Sequence, residues 1–335
     1  MTRVLITGGS GFIGHHVVED LLLNTKFNLT IIDRLDESGN MNRLNEVVLG
    51  ANKQRVRFIY HDLKAPINEV LRRQLGYHQY IIHMAAATHV DRSIDDPMSF
   101  VMDNVVATAN LLEHVRAVGC QQMIYFSTDE VFGPAPEGYA YKEDDRYRSG
   151  NPYAATKAGA EELCAAYANT YGMPIVTTHT MNVFGERQHP EKFIPNTIAK
   201  IMRGERVIIH ANKDRTKAGS RFYIHASHVA SALRFLMEHG KSGEKYNIVG
   251  EEEVDNLQLA QLIGRIMGRE SIDYDMVDFH SSRPGHDLRY ALDGSKMAAI
   301  GWRPPETFEA GICKTVEWTL QNRHWLDGEI MWRAA

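Results

Sequence analysis

Three glycines, each three residues from the next, separate a strand-like segment from a helix-like segment at the start of the chain. Residues 3–7 form a short aliphatic run, and residues 12–23 carry apolar side chains at the spacing of a helix. Gly8 permits a tight turn, Gly11 lets a pyrophosphate approach the backbone, and Gly14 lets the helix pack closely on the strand. We therefore predict a dinucleotide site in which the helix N-terminus faces phosphate charge. Its predicted contacts are Gly8, Gly11, Phe12, Ile13 and Gly14.

The alternation of strand and helix continues through the first half of the chain. Further strands are predicted at residues 29–33, 56–60, 80–84, 123–126 and 174–178, and long helices at residues 97–118 and 152–171. This spacing is typical of an α/β fold in which helices cover both faces of a doubly wound, Rossmann-type parallel sheet.

After about residue 180 the alternation weakens, and short helices are mixed with loops. Residues 221–225 and 245–249 resemble strands that return to the first domain. We therefore predict two interleaved units. Residues 1–180 plus 221–250 form the dinucleotide-binding Rossmann domain, and residues 181–220 plus 251–335 form a smaller α+β lobe that binds the substrate.

Charge and composition exclude several classes of protein. The 335 residues include 37 Lys and Arg and 42 Asp and Glu, a net charge of −5, so there is no basic excess for binding nucleic acid. No apolar run approaches the roughly 18 residues of a membrane span. The three cysteines are far apart and no HExxH motif is present. We therefore expect neither disulfides nor a bound metal, and we expect a cytoplasmic protein.

An acidic residue ends the second predicted strand, 19 residues after Gly14. A carboxylate at this position binds the ribose hydroxyls of NAD and repels the 2′-phosphate of NADP. Arg34, beside Asp33, could attract that phosphate, but the carboxylate favours NAD as the cofactor. Asp62 and Leu63 follow the third strand and are predicted to lie near the adenine.

A tyrosine and a lysine are spaced four residues apart at the start of the helix predicted at residues 152–171. Tyr153 and Lys157 therefore lie on one helix face. A nearby ammonium group lowers the pKa of a phenol, so this pair is a candidate general base. The spacing alone is common, and its functional interpretation depends on its place downstream of the dinucleotide motif.

Two adjacent acids follow the fifth predicted strand. Asp129 and Glu130 come directly after Ser127 and Thr128, where ligands bind in open α/β sheets. On the residues alone, a solvated acidic loop explains this pair as well as a catalytic site does.

Together these motifs resemble those of the extended short-chain dehydrogenase/reductase family, and within it the nucleotide-sugar 4,6-dehydratases. The glycine motif and the Tyr153–Lys157 pair are similar to those of the whole superfamily, and residues 127–131 (STDEV) are the more specific marker. Residues 87–94 resemble the alanine-rich and HVDRS stretch of the family, and residues 283–290 its C-terminal motif. The resemblance covers nearly the whole chain.

The resemblance implies an NAD-dependent enzyme that removes water across C5 and C6 of an NDP-glucose. It implies that Tyr153, tuned by Lys157, deprotonates the 4-hydroxyl, while Thr128 hydrogen-bonds near O4. It further implies that Glu130 removes the C5 proton and Asp129 protonates the departing 6-hydroxyl. The product is an NDP-4-keto-6-deoxyhexose, and no net redox change occurs.

The family's binding residues carry over less specifically. Cofactor contacts are implied for Ala85, Ala86, Thr88 and Asn104, in addition to Tyr153 and Lys157. Substrate contacts are implied for Thr128, Asn182, Glu191, Lys192, Phe193, Arg221, Arg283 and His286. Residues 208–211 and 221–228 depart from the family pattern, and residues 212–220 are a longer, basic stretch. The nucleotide base therefore stays open, with dTDP-glucose and UDP-glucose as the expected substrates.

Two alternatives remain on the sequence. A nucleotide-sugar 4-epimerase or decarboxylase of the same superfamily shares Tyr153 and Lys157 but has no evident use for Asp129 with Glu130. A non-catalytic NAD-binding protein is less consistent with the presence of both Tyr153 and Lys157. The family also implies a homodimer that pairs through the helices predicted at residues 97–118 and 152–171.

Overall fold

The computed structural model describes residues 1–278 and 289–326 of the chain. The strands are β1 Arg3–Thr7, β2 Asn28–Asp33, β3 Val56–Tyr60, β4 Tyr80–His83, β5 Gln122–Thr128, β6 Ile175–Thr180, β7 Val183–Phe184, β8 Val207–Ala211, β9 Ser220–Phe222, β10 Ile224–His225, β11 Lys245–Ile248, β12 Glu253–Asp255 and β13 Tyr274–Asp278. The α-helices are α1 Phe12–Asn24, α2 Met41–Val47, α3 Glu69–Leu75, α4 Val90–Asp95, α5 Pro97–Phe100, α6 Ala107–Val118, α7 Pro152–Tyr171, α8 Phe193–Arg203, α9 Ala226–His239, α10 Asn256–Ile266, α11 Ser295–Ala299 and α12 Phe308–Gln321. Short 3₁₀ turns cover Gly50–Arg55, Asp129–Phe132 and Arg323–Trp325, and a π-helical turn covers Val101–Val106.

The main sheet has seven parallel strands in the order β11-β6-β5-β4-β1-β2-β3. The strand order reverses between β1 and β4, because the chain adds β2 and β3 on one side of β1 and β4 to β6 on the other. Ligands of open α/β sheets bind at this switch point, beyond the carboxyl ends of the strands. The predicted α/β, doubly wound Rossmann fold is confirmed.

Helices cover both faces of this sheet and give each face its own apolar core. One core packs α1 and α9 on the sheet, and includes Val17, Leu21 and Leu233, each at most 1% exposed. The other packs α6 and α7 on the opposite face, and includes Leu111 and Cys164, which are fully buried. Burial of both faces accounts for the nearly continuous apolar runs of the central strands.

A third core belongs to the region after β6. It joins α8, α10 and α12 with strand β8, and includes Ile198, Ile209, Ile263 and Ile312. The short strands of this region pair as β7 with β10, β8 with β13 and β9 with β12.

Of the two segments predicted to return to the first domain as strands, residues 221–225 do not join the main sheet. Residues 245–249 return to the main sheet as expected, since β11 pairs with β6. Residues 221–225 instead form β9 and β10, which pair with β12 and β7 outside the main sheet. The reason is that β11 occupies the free edge of β6, and α9, which follows β10 directly, packs on α1 over one face of the sheet.

The helix predicted at residues 97–118 is interrupted by the π-helical turn between α5 and α6. Asn104, in this turn, is 1% exposed, and its Nδ2 donates to Ala87 O (3.1 Å) and to Thr156 Oγ1 (2.9 Å). Its Oδ1 accepts the Ala87 N–H at 2.8 Å. The extra residue of a π turn displaces a side chain from the helical ladder, and here that side chain binds the loop after β4.

Two further findings concern the described residues as a set. No helix among them is long and apolar enough to cross a membrane. No group of three or more His, Cys, Asp or Glu side chains in residues 1–278 and 289–326 is arranged to hold a metal ion.

Candidate active site

The carboxyl ends of β1 to β6 border one cleft of about 730 Å³. It lies at the switch point between β1 and β4 and extends to the start of α8. The predicted site residues that line it are Gly8, Gly11, Phe12, Ile13, Gly14, Asp33, Asp62, Leu63, Ala85, Ala86, Thr88, Thr128, Asp129, Glu130, Tyr153, Lys157, Asn182, Glu191, Lys192 and Phe193.

Two predicted site residues, Asn104 and Arg221, do not line the cleft, and two more lie outside the described residues. Asn104 lies behind the loop after β4 and fixes Ala87, so it positions this loop rather than lining the cleft. Arg221 lies outside the lining, with its guanidinium 4.7 Å from the ring centre of Tyr290. Arg283 and His286 lie outside the described residues.

The glycine loop is held between two strand ends. Gly8 has φ +75°, and a Cβ there would lie 2.8 Å from the backbone nitrogen of Ala85, so the approach of the loop after β4 requires glycine. A Cβ on Gly14 would lie 2.1 Å from the Gly8 carbonyl oxygen, so the first turn of α1 can pack on the loop only with glycine there. No side chain caps the start of α1, which leaves its first N–H groups facing the cleft for an anion.

Asp33 joins this loop to the end of β2. Its Oδ2 accepts the Ser10 N–H and its Oδ1 accepts the Leu35 N–H, both at 2.9 Å. These bonds fix the carboxylate at the cleft, where it can bind ribose hydroxyls. The location agrees with the sequence prediction.

Arg34 is surrounded by carboxylates. Its guanidinium makes two bonds to Asp103, one from Nη2 at 2.9 Å, and Nε donates to Asp36 at 2.8 Å. Asp62 Oδ1 lies 3.7 Å from Nη1. These carboxylates neutralise the Arg34 guanidinium. The side chain that could have attracted the 2′-phosphate of NADP is therefore already paired. The arrangement supports the preference for NAD.

Thr128, Asp129 and Glu130 turn sharply at the end of β5. Thr128 Oγ1 donates to Asp129 Oδ1 at 3.1 Å and accepts the Glu130 N–H at 3.3 Å. Asn151 caps α7 through its Oδ1, and its Nδ2 donates to Glu130 Oε2 at 3.0 Å. The acidic pair is therefore fixed to the same helix start that carries Tyr153.

The two acids differ in their environment. Asp129 is 5% exposed, and its Oδ2 has no hydrogen-bond partner in the described part of the chain. Burial, followed by the neighbouring charge of Glu130, raises the pKa of Asp129 to about 7, although Arg221 opposes this. The solvated-loop interpretation of the pair is wrong, because Asp129 is buried and can keep a proton near neutral pH.

The raised pKa predicts a pH-dependent effect on stability. An ordinary Asp has a pKa of 3.8, so between about pH 4 and pH 7 the unfolded chain releases a proton that the folded chain keeps. Ionisation of Asp129 therefore lowers the free energy of unfolding as pH rises. Asp129→Asn removes this effect. The free energy of unfolding of the variant, relative to that of wild type, should therefore be about 3 kcal/mol higher at pH 8 than at pH 5. Urea unfolding of both proteins at the two pH values measures this change. If the difference in free energy of unfolding between variant and wild type is the same at both pH values, the raised pKa of Asp129 is contradicted.

Tyr153 faces the acidic pair from α7. Its backbone N–H donates to Ser93 Oγ at 3.1 Å, and its ring contacts Phe100 edge to face. The phenol hydrogen-bonds to the Thr128 side chain. Phenol, hydroxyl and two carboxyls therefore meet at one point of the cleft.

The expectation that Lys157 lowers the pKa of Tyr153 is wrong for this structure. Burial, and then the charge of Glu130, raises the pKa of Tyr153, and only the bond to Thr128 opposes this. Lys157 Nζ donates to Phe126 O at 2.7 Å and lies 4.4 Å from the Tyr125 ring centre, so it is directed at β5. Burial also lowers the pKa of Lys157, to about 8.

A buried carboxylate that was not among the predicted site residues fixes α7 to β5. Glu161 is 2% exposed and accepts hydrogen bonds from Ser127 Oγ and Tyr147 OH. His179 Nε2 lies 3.1 Å from its Oε2. The signal was available, because an acid four residues after Lys157 lies on the same helix face. Thr180, at the end of β6, also lines the cleft and was not predicted.

Comparison with known proteins identifies the family. A family model described as GDP-mannose 4,6 dehydratase matches residues 5–315. The chain is 36% identical to dTDP-glucose 4,6-dehydratase 1 of Escherichia coli K12 over 351 residues, which covers 97% of this chain and 94% of that protein. The chain belongs to the nucleotide-sugar 4,6-dehydratases. They form part of the extended short-chain dehydrogenase/reductase family, as the resemblance implied.

Solved structures place the 4,6-dehydratase chain among relatives with bound NAD. DesIV, a dTDP-glucose 4,6-dehydratase from Streptomyces venezuelae solved with NAD, has a TM-score of 0.87 and 33% identity, and the match covers 97% of this chain and 98% of that one. The UDP-glucose 4-epimerase of Thermus thermophilus, also solved with NAD, has a TM-score of 0.83 and 29% identity, with 95% and 98% covered. Dehydratases and epimerases thus share this fold.

Proposed function

We propose that the chain is an NAD-dependent NDP-glucose 4,6-dehydratase, which converts an NDP-glucose to an NDP-4-keto-6-deoxyhexose. The observation that carries the proposal is the placement of Asp129 and Glu130 beside Tyr153 in one cleft. An epimerase needs a base at C4 alone, whereas water elimination needs a second base and an acid. The names of the dehydratase relatives favour dTDP-glucose, and UDP-glucose is the second candidate substrate.

The residues of the cleft fit NAD. The glycine loop leaves no room for side chains where the start of α1 faces the cleft. Because Arg34 is paired with Asp36 and Asp103, the Asp33 carboxylate can bind ribose hydroxyls without a competing attraction for a 2′-phosphate. We assign the cofactor to the predicted residues that line this half: Gly8, Gly11, Phe12, Ile13, Gly14, Asp33, Asp62, Leu63, Ala85, Ala86, Thr88, Tyr153 and Lys157. Bound there, NAD would supply the hydride acceptor for C4 of the sugar and the hydride donor for C6, so no net redox change would occur.

Tyr153 acts at C4 in this proposal. Its phenolate accepts the proton of the 4-hydroxyl as C4 becomes a ketone, and Thr128, hydrogen-bonded to the phenol, also contacts O4. Burial raises the pKa of Tyr153 in the free chain, where Lys157 Nζ bonds to Phe126 O, so the phenolate would have to form after cofactor and substrate bind. The 4-ketone then acidifies the C5–H bond.

Glu130 and Asp129 complete the elimination. Glu130 accepts the C5 proton, the C5–H electron pair forms the C5–C6 double bond, and the C6–O bond breaks. Asp129 gives its proton to the departing oxygen, which leaves as water. When hydride is added at C6, Glu130 returns a proton to C5, so the double bond is reduced and atoms and charges balance. The pKa of Asp129, raised to about 7 by burial and by the charge of Glu130, suits an acid at neutral pH.

The rest of the cleft is assigned to the substrate. Asn182, Glu191, Lys192 and Phe193 line the half beyond Tyr153, next to Thr128 and the acidic pair. Arg221 does not line the cleft, but its charge acts on Asp129 and guanidinium groups bind phosphate oxygens well, so we assign it to the diphosphate. Arg283 and His286, outside the described residues, keep their predicted roles at the nucleotide.

The predicted division of the chain is kept as a proposal. Residues 1–180 plus 221–250 hold NAD, and residues 181–220 plus 251–335 hold the sugar nucleotide. The separate core of α8, α10 and α12 supports the division. Met297 and Trp302, however, pack on the core of the main sheet, so the lobe is firmly joined to the first unit.

Two properties of the whole protein are also proposed. A homodimer through α6 and α7 with the turns before α6 is supported by exposed Met98 and Met102 along this stretch. A cytoplasmic location is supported by the free thiols of Cys120, Cys164 and Cys313.

Incubation with dTDP-, UDP-, CDP- and GDP-glucose, with products measured by mass spectrometry, tests the function. Loss of one water from at least one substrate is the expected result. An unchanged mass with inverted configuration at C4 indicates an epimerase. Loss of carbon dioxide from the matching uronic acid indicates a decarboxylase.

A further inference from the structure

Three residues that line the cleft have a buried polar atom without a hydrogen-bond partner in the described part of the chain: His89 (Nδ1), Asp129 and Thr180. Two of these atoms belong to neighbouring strand ends, after β5 and at the end of β6. One is Oδ2 of Asp129 and the other is Oγ1 of Thr180. Both residues line the cleft, and Thr180 is 4% exposed. A buried polar atom without a partner costs free energy. Asp129 Oδ1 is bonded to Thr128, but Asp129 Oδ2 and the Thr180 hydroxyl both lack a partner, so a ligand that bonds to both atoms would stabilise them.

The position of Thr180 in the sheet relates it directly to the acidic pair. Thr180 ends β6 and Thr128 ends β5, and the two are Cα partners in parallel register. Side chains at paired positions leave a sheet on the same face. Thr128 is bonded to both acids, whereas the Thr180 hydroxyl has no bond within the described chain. One threonine thus organises the acids, and the other is available to a bound molecule.

We propose that Thr180 is a further catalytic residue, whose hydroxyl donates a hydrogen bond to the 6-oxygen of the sugar while Asp129 protonates the same oxygen. This rests on the proposed dehydratase function. As the C6–O bond breaks, negative charge develops on an oxygen that has two lone-pair directions. The Asp129 proton takes one, and the Thr180 hydroxyl stabilises the other without adding charge to the site.

The released water explains why a neutral donor suits this position. Once the proton has moved, Asp129 is an anion, and the new water lies between this carboxylate and the Thr180 hydroxyl. It can donate to the carboxylate and accept from the hydroxyl, so both partners of the leaving group also bind the product water. A second carboxyl here would add repulsion to Asp129 and Glu130.

A catalytic and a merely structural role for Thr180 predict different effects of its substitution on the melting temperature and on the rate of water release. Valine keeps the shape of threonine and removes the unpartnered hydroxyl, so Thr180→Val should melt at the same temperature as wild type or higher. The same variant should release water from the substrate about 10²- to 10³-fold more slowly, as expected when one donor to a developing negative charge is lost. Oxidation at C4 should continue.

The test compares Thr180→Val and Thr180→Ser with Thr178→Val in the full-length protein. Thr178 lies on the same strand and face, fully buried, with its hydroxyl 3.4 Å from Tyr125 O, and does not line the cleft. Rapid mixing with dTDP-glucose separates the appearance of reduced nicotinamide from the release of water. Slow water release in Thr180→Val, recovery in Thr180→Ser and a normal rate in Thr178→Val support the inference.

Several results overturn it. These are a normal rate of water release in Thr180→Val, an equal loss in Thr178→Val, or a lower melting temperature for Thr180→Val than for wild type. If wild-type protein releases no water from any NDP-glucose, the proposed function fails first and this inference fails with it. The wild-type control therefore distinguishes the two failures.

Discussion

Asp129→Asn should stop the reaction after oxidation at C4. The amide has the shape of the carboxyl but carries no acidic proton, so the 6-hydroxyl would have to leave as hydroxide. We expect the rate of water release to fall by about 10²- to 10⁴-fold, the usual contribution of a general acid. Tyr153 and the cofactor site are unchanged, so the 4-ketone form and reduced nicotinamide should accumulate in a single turnover.

Absorbance of the reduced nicotinamide and the mass of the quenched sugar nucleotide measure the two steps separately. Asp20→Asn is the matched control, because Asp20 is a largely buried acid paired with Arg234 at 2.7 Å, away from the cleft. It should turn over as wild type does. Normal water release in Asp129→Asn would show that another group is the acid.

Tyr153→Phe should instead prevent the first step. The ring keeps its contact with Phe100, so the fold around α7 should be retained, but no phenol remains to accept the 4-hydroxyl proton. Oxidation at C4 should fall by about 10²- to 10⁴-fold. Water release should fall with it, because C5–H is acidic only beside the 4-ketone.

The decisive difference from Asp129→Asn is that Tyr153→Phe should accumulate no reduced nicotinamide. Tyr246→Phe, a core tyrosine on β11 that is 2% exposed, is the control for loss of a buried phenol. A Tyr153→Phe protein that accumulates reduced nicotinamide as fast as wild type would contradict the assignment of Tyr153 as the base at C4.

Local patterns predicted the cofactor half of the site, because its chemistry depends on short stretches of chain. The Gly8, Gly11 and Gly14 spacing and the position of Asp33 after β2 each follow from one strand–loop–helix unit. The doubly wound arrangement, which the alternation of elements predicted as a fold class, brings these units together at the switch point. Hence nearly every predicted cofactor contact lines the cleft.

The parts that the sequence did not predict depend on contacts between distant segments. Arg34 is neutralised by Asp103, 69 residues away. Glu161 is bonded to Ser127 and His179 on two different strands. Residues 221–225 do not pair with the main sheet, because a later strand, β11, occupies the edge of β6. None of these partners can be identified from spacing along the chain.

The direction of the Lys157 side chain also differs from the prediction. Helical spacing correctly placed its Cα on the face of Tyr153, but the ammonium bonds to Phe126 O on the neighbouring strand. A spacing rule gives the face of a helix and not the direction of a long side chain, which has several rotatable bonds. The pKa of Tyr153 consequently responds to burial and to Glu130.

The central claim is that Asp129 and Glu130 eliminate water across C5 and C6 of a nucleotide-linked glucose. Incubation of wild-type protein with dTDP-glucose in deuterium oxide tests it most directly, with mass spectrometry and NMR of the product. We expect loss of one water and one solvent-derived deuterium at C5, because the C5 proton passes to a carboxyl that exchanges with solvent. A product of unchanged mass without deuterium on carbon, and with C4 inverted, would contradict it.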